Sequence, residues 1–295
     1  MTIRSRIKLI SSPNYYYGNS VIKLFTHNFF ETLGFFRRRG PSRVLIQPLK
    51  SMKNSKIGKK ALVLGSGPSL GKLNLGSTEL SKYEVFAVNS FFQSQAAEVI
   101  SPAFYCLSDP NYFVEDRTNT TFQDGPLLEY LTRKRPTLLI SHFYRNSDKY
   151  QSLERLYFDD REFRWMRRSI KPTRPRAYVS LTLYKALATA IYFGYDEILI
   201  LGMDNNEFAF YESNSSNEFY VNFSKYFSEG ISSVVIGKKQ TPEGFTSGMS
   251  GRLQFFGQIF GDLFKFAGFN VWNLDENSLV DAFPKKIAHP LIKKT

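Results

Sequence analysis

Five places in the sequence gather small or polar side chains able to hold an anion or move a proton. Gly65-Ser66-Gly67-Pro68-Ser69 follows the apolar run Ala61 to Leu64. Asn89, Ser108-Asp109, Ser141-His142 and Asp204-Asn205 each follow a comparable run. A turn of small residues lets a ligand approach the backbone, and N–H groups in such a turn suit an anion such as phosphate. Pro68 stiffens that turn, and Ser69 is placed to cap a following helix. Asp109 and His142 are the two groups here that could accept a proton from a hydroxyl. An ordinary histidine titrates near pH ~6.5, which suits a base at neutral pH. Each also has a plainer reading: His142 as a structural hydrogen-bonder, and Asp109 as the turn-former of an Asp-Pro pair.

Some chemistries are excluded or weakened. The turn is not a Walker A loop, because no Gly-Lys-Ser/Thr follows it. It lacks the full G-x-G-x-x-G spacing, because position 70 is Leu. Asp204-Asn205-Asn206 offers one carboxylate followed by amides, a thin site for Mg²⁺, and no metal site is expected. There is no nucleophile elbow to support a hydrolase. A single cysteine, Cys106, rules out a disulfide framework within the chain and fits a reducing compartment.

The elements that must position these groups alternate. Strands are expected at ALVLG, YEVFAVN, PAFYCLSDP, PTLLISH, EILILGMD and FNVWNLDENS. Helices are expected at SLTLYKALATAIYFGY, closed by Gly194, and at FTSGMSGRLQFFGQIFGDLFKFAGF, closed by Gly268. This pattern predicts an α/β fold: a single Rossmann-like domain with a mainly parallel sheet, over residues 59–295. In such sheets ligands bind beyond the carboxyl ends of the strands, where all five polar groups fall.

Residues 1–58 read as a basic N-terminal extension. Of 39 Lys and Arg and 26 Asp and Glu, residues 1–60 hold 13 and one, a net charge of +12 that leaves +1 for the rest. The body therefore carries no basic groove for nucleic acid. Ile22, Phe25, Phe29, Leu33 and Phe36 follow helical spacing, and Arg37, Arg38 and Arg39 precede the stop signal Gly40-Pro41. The helix either lies in the plane of an anionic membrane or packs its aromatic stripe on the domain. Residues 49–60, polar and basic, read as a linker. The run Phe163 to Tyr178 carries six cations and reads either as a cover for an anionic substrate or as a solvated face. No apolar run reaches the ~18 residues of a membrane span, and no apolar h-region follows the first basic residues.

GSGPSL, AVNSF and FYCLSDPNYF, at the ends of the first three strands, resemble a pattern shared by two related groups. One is the bacterial sialyltransferase family, glycosyltransferase family 42, which uses CMP-activated nonulosonic acids. Its first turn reads G-N-G-P-S-L, and its G-Y-K-E-I-Y-L-x-G-I-D-F resembles GYDEILILGMDNNEF, Gly194 to Phe208. The other comprises DUF115 and pterin-pyrophosphokinase-like proteins, often encoded in surface-polysaccharide gene clusters, whose N-S-x-x-D-A-F resembles NSLVDAF, Asn277 to Phe283. The resemblance covers residues 60–285.

The resemblance implies a GT-A-like sialyltransferase variant of the fold and a nucleotide held by Gly65, Ser66, Gly67, Pro68, Ser69, Asn89, Ser108, Asp204 and Asn205. It implies a glycosyltransferase that moves a sugar from a CMP-linked donor to a glycan or lipid-linked glycan acceptor in bacterial surface polysaccharide or lipopolysaccharide assembly. Such a protein would be cytoplasmic, or peripheral at the inner face of the cytoplasmic membrane, and would need no cofactor. The second group implies a Mg²⁺- and ATP-dependent diphosphotransferase instead, and loss of chemistry would leave a nucleotide- or glycan-binding protein. The chain departs from the sialyltransferase pattern at Ser66 and Asp109, where that family has Asn. It also departs at Met249, where the family's G-H-S supplies the catalytic His. Methionine cannot accept a proton, so Asp109 and His142 remain as candidate bases.

Overall fold

The computed structural model describes residues 29–30, 32–113, 124–163, 169–176, 181–204, 266, 268–278, 280 and 282–293. Seven strands form one sheet: β1 Lys60–Leu64, β2 Tyr83–Val88, β3 Phe104–Leu107, β4 Thr137–Ser141, β5 Arg155–Phe158, β6 Glu197–Leu201 and β7 Val271–Asn273. The order is β5-β4-β3-β2-β1-β6-β7, and every pairing is parallel. Among the described residues, helices α1 Arg43–Ser51, α2 Gln95–Val99, α3 Asp124–Lys134 and α4 Thr182–Phe193 pack on the sheet, and residues 32–37 form a short helical segment before α1. The fold is the expected Rossmann-like α/β domain.

The sequence dictates this arrangement through burial on both sides of the strands. Alternate residues of β1 face opposite layers. Ala61 and Val63 pack with α4 and Leu49 of α1, whereas Leu62 and Leu64 pack with Leu127 and Leu131 of α3. A strand covered on both faces reads as an apolar run, and β1 from Ala61, β2 from Val85 and β6 from Ile198 do so, with Lys60, Glu84 and Glu197 at or near their starts. Gly194 ends α4 at φ +83°, the left-handed conformation that favours glycine.

Strand β5 was not among the expected strands. Its four residues, RLYF, follow a polar stretch at the sheet edge, and Arg155 is half-buried. Only its register with β4, Leu138 opposite Arg155 through Ser141 opposite Phe158, makes it a strand. The helix expected before Gly268 lies outside the described residues.

Residues 49–60 do not behave as a linker. Leu49 is completely buried. Asn54 and Lys56 donate backbone N–H groups to the last carbonyls of α4, Tyr192 and Phe193. Lys56 and Lys59 both pair with Glu84, at 2.7 and 2.6 Å. The stretch looks like a linker in sequence because its apolar contacts are few, whereas its docking is made by backbone and charge.

The strand order sets where a ligand can sit. The chain builds outward from β1 to β5, then returns through α4 to place β6 on the other flank of β1. The connections therefore diverge between β1 and β6, opening a crevice at their carboxyl ends. Among the described residues, no helix is long and apolar enough to cross a membrane.

Candidate functional site

The turn after β1 lies on the end of β6. Gly65 donates its N–H to Leu201 at 2.8 Å, and Gly67 donates to Gly202 at 2.9 Å. Ser69 is buried; its N–H reaches Asp204 Oδ1 at 2.9 Å and its hydroxyl donates to Oδ2 at 3.0 Å. Gly202 in turn donates its N–H to the Ser69 hydroxyl oxygen at 3.0 Å. A Cβ on Gly65 would run into the Gly202 carbonyl, and one on Gly67 into the Asp204 carboxylate. The two glycines are therefore required by contact between two strand ends, before any ligand is considered.

This corrects the expected roles of Ser69 and the turn's N–H groups. Ser69 does not cap a helix; it sits within a 3-10 turn, Pro68–Lys72, whose first residues follow Gly67. Three of the turn's N–H groups are spent internally. Ser66, half-exposed, is the residue of the turn whose N–H has no partner among the described residues. An anion here would meet one N–H donor and a rigid rim rather than a full cradle.

Asp204 is buried beneath this turn. Burial, and next the charge of Asp275, push its pKa up to about 7, against the Ser69 hydrogen bonds that favour the ionised form. Asp204 therefore gains a proton near neutral pH. Asp275, at the end of β7, accepts from Lys72 at 2.8 Å through Oδ1, while its buried Oδ2 has no partner. Buried side-chain amide nitrogen of Asn273 is also unpaired. Asp275, Asn273 and Lys72 extend the site along β7, and no earlier reading singled them out. The signal available was the Asn-x-Asp spacing in VWNLDEN, at the end of a strand like the other five polar groups.

The next strand ends supply Asn89 and Asp109. Asn89 sits at φ +46°, a left-handed conformation uncommon outside glycine. Its carbonyl accepts from the Tyr105 hydroxyl at 2.6 Å, yet its side-chain oxygen is buried with no partner. A strained residue with an orphaned acceptor marks functional sites more often than scaffolds. Ser108 is buried and shares a 2.8 Å hydrogen bond with Thr182 at the start of α4. Asp109 is half-exposed, and its Oδ1 accepts from Asn111 N–H at 3.0 Å, so the turn-forming role is real. Its other oxygen makes no hydrogen bond among the described residues.

His142 is fully buried. Its Nδ1 accepts the Asp160 N–H at 3.2 Å, which leaves the proton on Nε2 to donate to the Arg39 carbonyl at 3.2 Å. Burial pushes its pKa below the ordinary value, and the bond to Arg39 offsets part of that. Both nitrogens are thus committed to holding chain segments together. Beside it, Asp160 takes Lys185 at 3.0 Å and Arg176 at 3.4 Å, all of them buried or nearly so. Arg176 comes from the six-cation run, so that part of the run is interior and not a solvated face. Residues 164–168 and 177–178 of the same run lie outside the described residues, as do Asn205 and Met249. Among the described residues, no cluster of His, Cys, Asp and Glu could hold a metal ion.

No family model matches the chain. No curated protein matches it either. Among solved structures it is similar to the Maf glycosyltransferase from Magnetospirillum magneticum AMB-1, at 13% identity and a TM-score of 0.33. That match covers 54% of this chain and spans 27% of the length of the other. It is also similar to the sialyltransferase CST-II in complex with a trisaccharide acceptor and CMP, at 16% identity and a TM-score of 0.38, covering 80% of this chain and 89% of that one. A second structure, CstII from Campylobacter jejuni in complex with CMP, aligns at 17% identity and a TM-score of 0.37, covering 81% and 89%. These likenesses are too distant to place a ligand or assign a residue.

Proposed function

We propose that the chain is a glycosyltransferase whose nucleotide-linked donor, CMP-linked in the first instance, lies across the carboxyl ends of β1, β2 and β6. The observation that carries this reading is Asn89: strained, and with a buried side-chain oxygen that nothing in the described protein satisfies. It stands at the end of β2, one strand from the Gly65–Ser69 turn and next to the β1–β6 crevice where the connections of the sheet diverge. A ribose hydroxyl or base amino group would satisfy it. The resemblance of GSGPSL, AVNSF, LSDP and GYDEILILGMD to the sialyltransferase pattern supports the same placement.

In this reading Ser66, Gly67 and Pro68 form the rim against which the phosphate rests, and the Ser66 N–H donates to it. Ser69, Gly65 and Asp204 hold that rim in place. Ser108, at the end of β3, lies on the donor side. The acceptor is a glycan, lipid-linked in a surface-polysaccharide setting. Its hydroxyl oxygen attacks the anomeric carbon, the bond to the nucleotide phosphate breaks, and CMP leaves with the electron pair. Asp109 takes the hydroxyl proton, because His142 has no nitrogen to spare. The step needs no metal.

A thermal-shift panel of CMP, CDP, UDP, GDP and ATP, each with and without Mg²⁺, tests the reading. The expected result is a metal-independent rise with CMP, since a ligand bound only to the folded state stabilises it by about 2.7 kcal/mol at a hundredfold excess over its Kd. A rise only with ATP and Mg²⁺ points to the diphosphotransferase. A rise with CMP but no transfer from any CMP-sugar leaves a binding protein, the reading that Met249 favours. Asp109→Asn should keep the CMP shift and lose transfer.

A further inference from the structure

The helix over residues 32–37 turns its apolar side away from the body. Phe29, Phe30, Leu33 and Phe36 are exposed, at 56, 67, 39 and 73%. At 100° per residue they fall within one arc of about 120°, with Arg37 inside it and Phe35 opposite. Phe35 faces the protein, stacked on Phe163 at 4.2 Å between ring centroids and 19° between planes, and the largely exposed Phe36 meets the edge of the same ring at 6.1 Å. Arg161 lies over the same ring at 5.2 Å and is held by Asp159 through two hydrogen bonds, of 3.0 and 2.8 Å. The segment is anchored again where His142 holds the Arg39 carbonyl. Of the stripe, Phe29, Leu33 and Phe36 are exposed, while Ile22 and Phe25 lie outside the described residues.

Among the described residues, this exposed arc of three phenylalanines and a leucine is covered only where the Phe36 ring meets Phe163 edge-on at 6.1 Å. Its surroundings say what covers it. Arg37, Arg38, Arg39 and Arg43 are all exposed beside it, and no acid lies among the described residues from 32 to 78. Alternating aromatic and cationic exposure matches the boundary of an anionic bilayer, where rings enter the acyl edge and guanidinium groups remain at the phosphates. It does not suit a second copy of the chain, because two such faces would bring eight arginines together.

We propose that residues 29–43 are a docking face for an anionic lipid bilayer, with Phe29, Phe30, Leu33 and Phe36 entering the interface. Both anchors, His142 and Phe163, follow the carboxyl ends of β4 and β5. Docking therefore presents the carboxyl edge of the sheet to the lipid. With strands about 4.8 Å apart, β4 lies about 14 Å from β1 along that edge. An acceptor carried by lipid would meet the Gly65–Ser69 turn without leaving the surface. The docking face stands on its own observations and does not depend on the transferase reading.

The test is sedimentation of the full chain with vesicles of phosphatidylcholine alone and with phosphatidylglycerol added. Each cation near an anionic surface is worth about fivefold in partitioning, so the parent should bind the anionic vesicles at least tenfold better. A Phe29→Ser, Phe30→Ser, Phe36→Ser triple variant should lose about tenfold or more and keep its melting temperature within a few degrees, because all three side chains are more than half exposed and only Phe36 touches the body, edge-on at Phe163. Phe36→Ser alone serves if the triple fails to fold, with a smaller loss in the same direction. Equal binding of parent and variant overturns the proposal, since charge elsewhere in the basic arm would then suffice. So does failure of the parent to bind anionic vesicles. So does a parent dimer, without vesicles, that the triple variant turns into a monomer. CMP binding should be the same in parent and variant, which keeps this result separate from that of the nucleotide site.

Discussion

Asp204 at the end of β6 grips Ser69 in the turn after β1 with both carboxylate oxygens, at 2.9 and 3.0 Å. The two residues lie 135 positions apart in sequence. This contact, rather than the turn's own sequence, gives the Gly65–Ser69 rim its shape. Ser69→Ala would leave the Gly202 N–H and one Asp204 oxygen without their partner. The expected loss is about 1–3 kcal/mol of unfolding free energy, measured by urea denaturation.

Gly67→Ala tests whether the glycine is there for packing. The added methyl would displace the Asp204 carboxylate, so the variant should be less stable by about 1–3 kcal/mol. Gly76→Ala is the control. Its Cβ would meet only Asn74 at 3.7 Å, and its stability should change little. Similar melting temperatures for both variants would contradict the packing account.

Asp204 should make the protein less stable as pH rises toward neutrality. Its folded pKa, about 7, lies above its ordinary value of 3.8. The folded state therefore holds a proton that the unfolded state has released, and that stabilising difference is full below pH ~4 and gone by pH ~7. Asp204→Asn mimics the protonated form. It should match the parent near pH 4 and be more stable above pH 7, on the order of 1–2 kcal/mol. An Asn variant less stable than the parent at pH 8 would show that the carboxylate is needed ionised.

The sheet was legible in the sequence because its central strands carry runs of four apolar residues, 61–64, 85–88 and 198–201, as strands buried on both faces do. Gly194 was equally readable as the end of α4. Strand β5 was hidden because RLYF becomes a strand only beside β4. The site was readable in outline, since Gly65, Asn89, Asp109, His142 and Asp204 all lie at strand ends. Their roles were not, because partners such as Ser69 for Asp204 and Arg39 for His142 come from distant parts of the chain. Asp275 escaped notice for the same reason: its neighbour Lys72 is 203 positions away.

His142 gives the opposite pH dependence. Burial lowers its folded pKa, so above pH ~6.5 the ring is neutral in both states and its contribution is complete. As pH falls below that, the unfolded chain takes up a proton that the buried ring resists, and stability declines. A protonated ring also loses its acceptor for the Asp160 N–H. Between pH 7.5 and 5 the unfolding free energy of the parent minus that of His142→Asn should fall as pH falls, because the Asp204 contribution is common to both. Equal slopes would remove His142 from this account.

The most direct measurement is CMP titration by calorimetry into the parent and into Asn89→Gly. Glycine adopts φ +46° readily, so the variant should fold with a stability within about 1 kcal/mol of the parent. It lacks the carboxamide whose oxygen is buried without a partner among the described residues. The account predicts saturable CMP binding by the parent and at least a tenfold loss in the variant. Equal affinities in the two, or no heat with the parent, would contradict a nucleotide site at the ends of β1, β2 and β6.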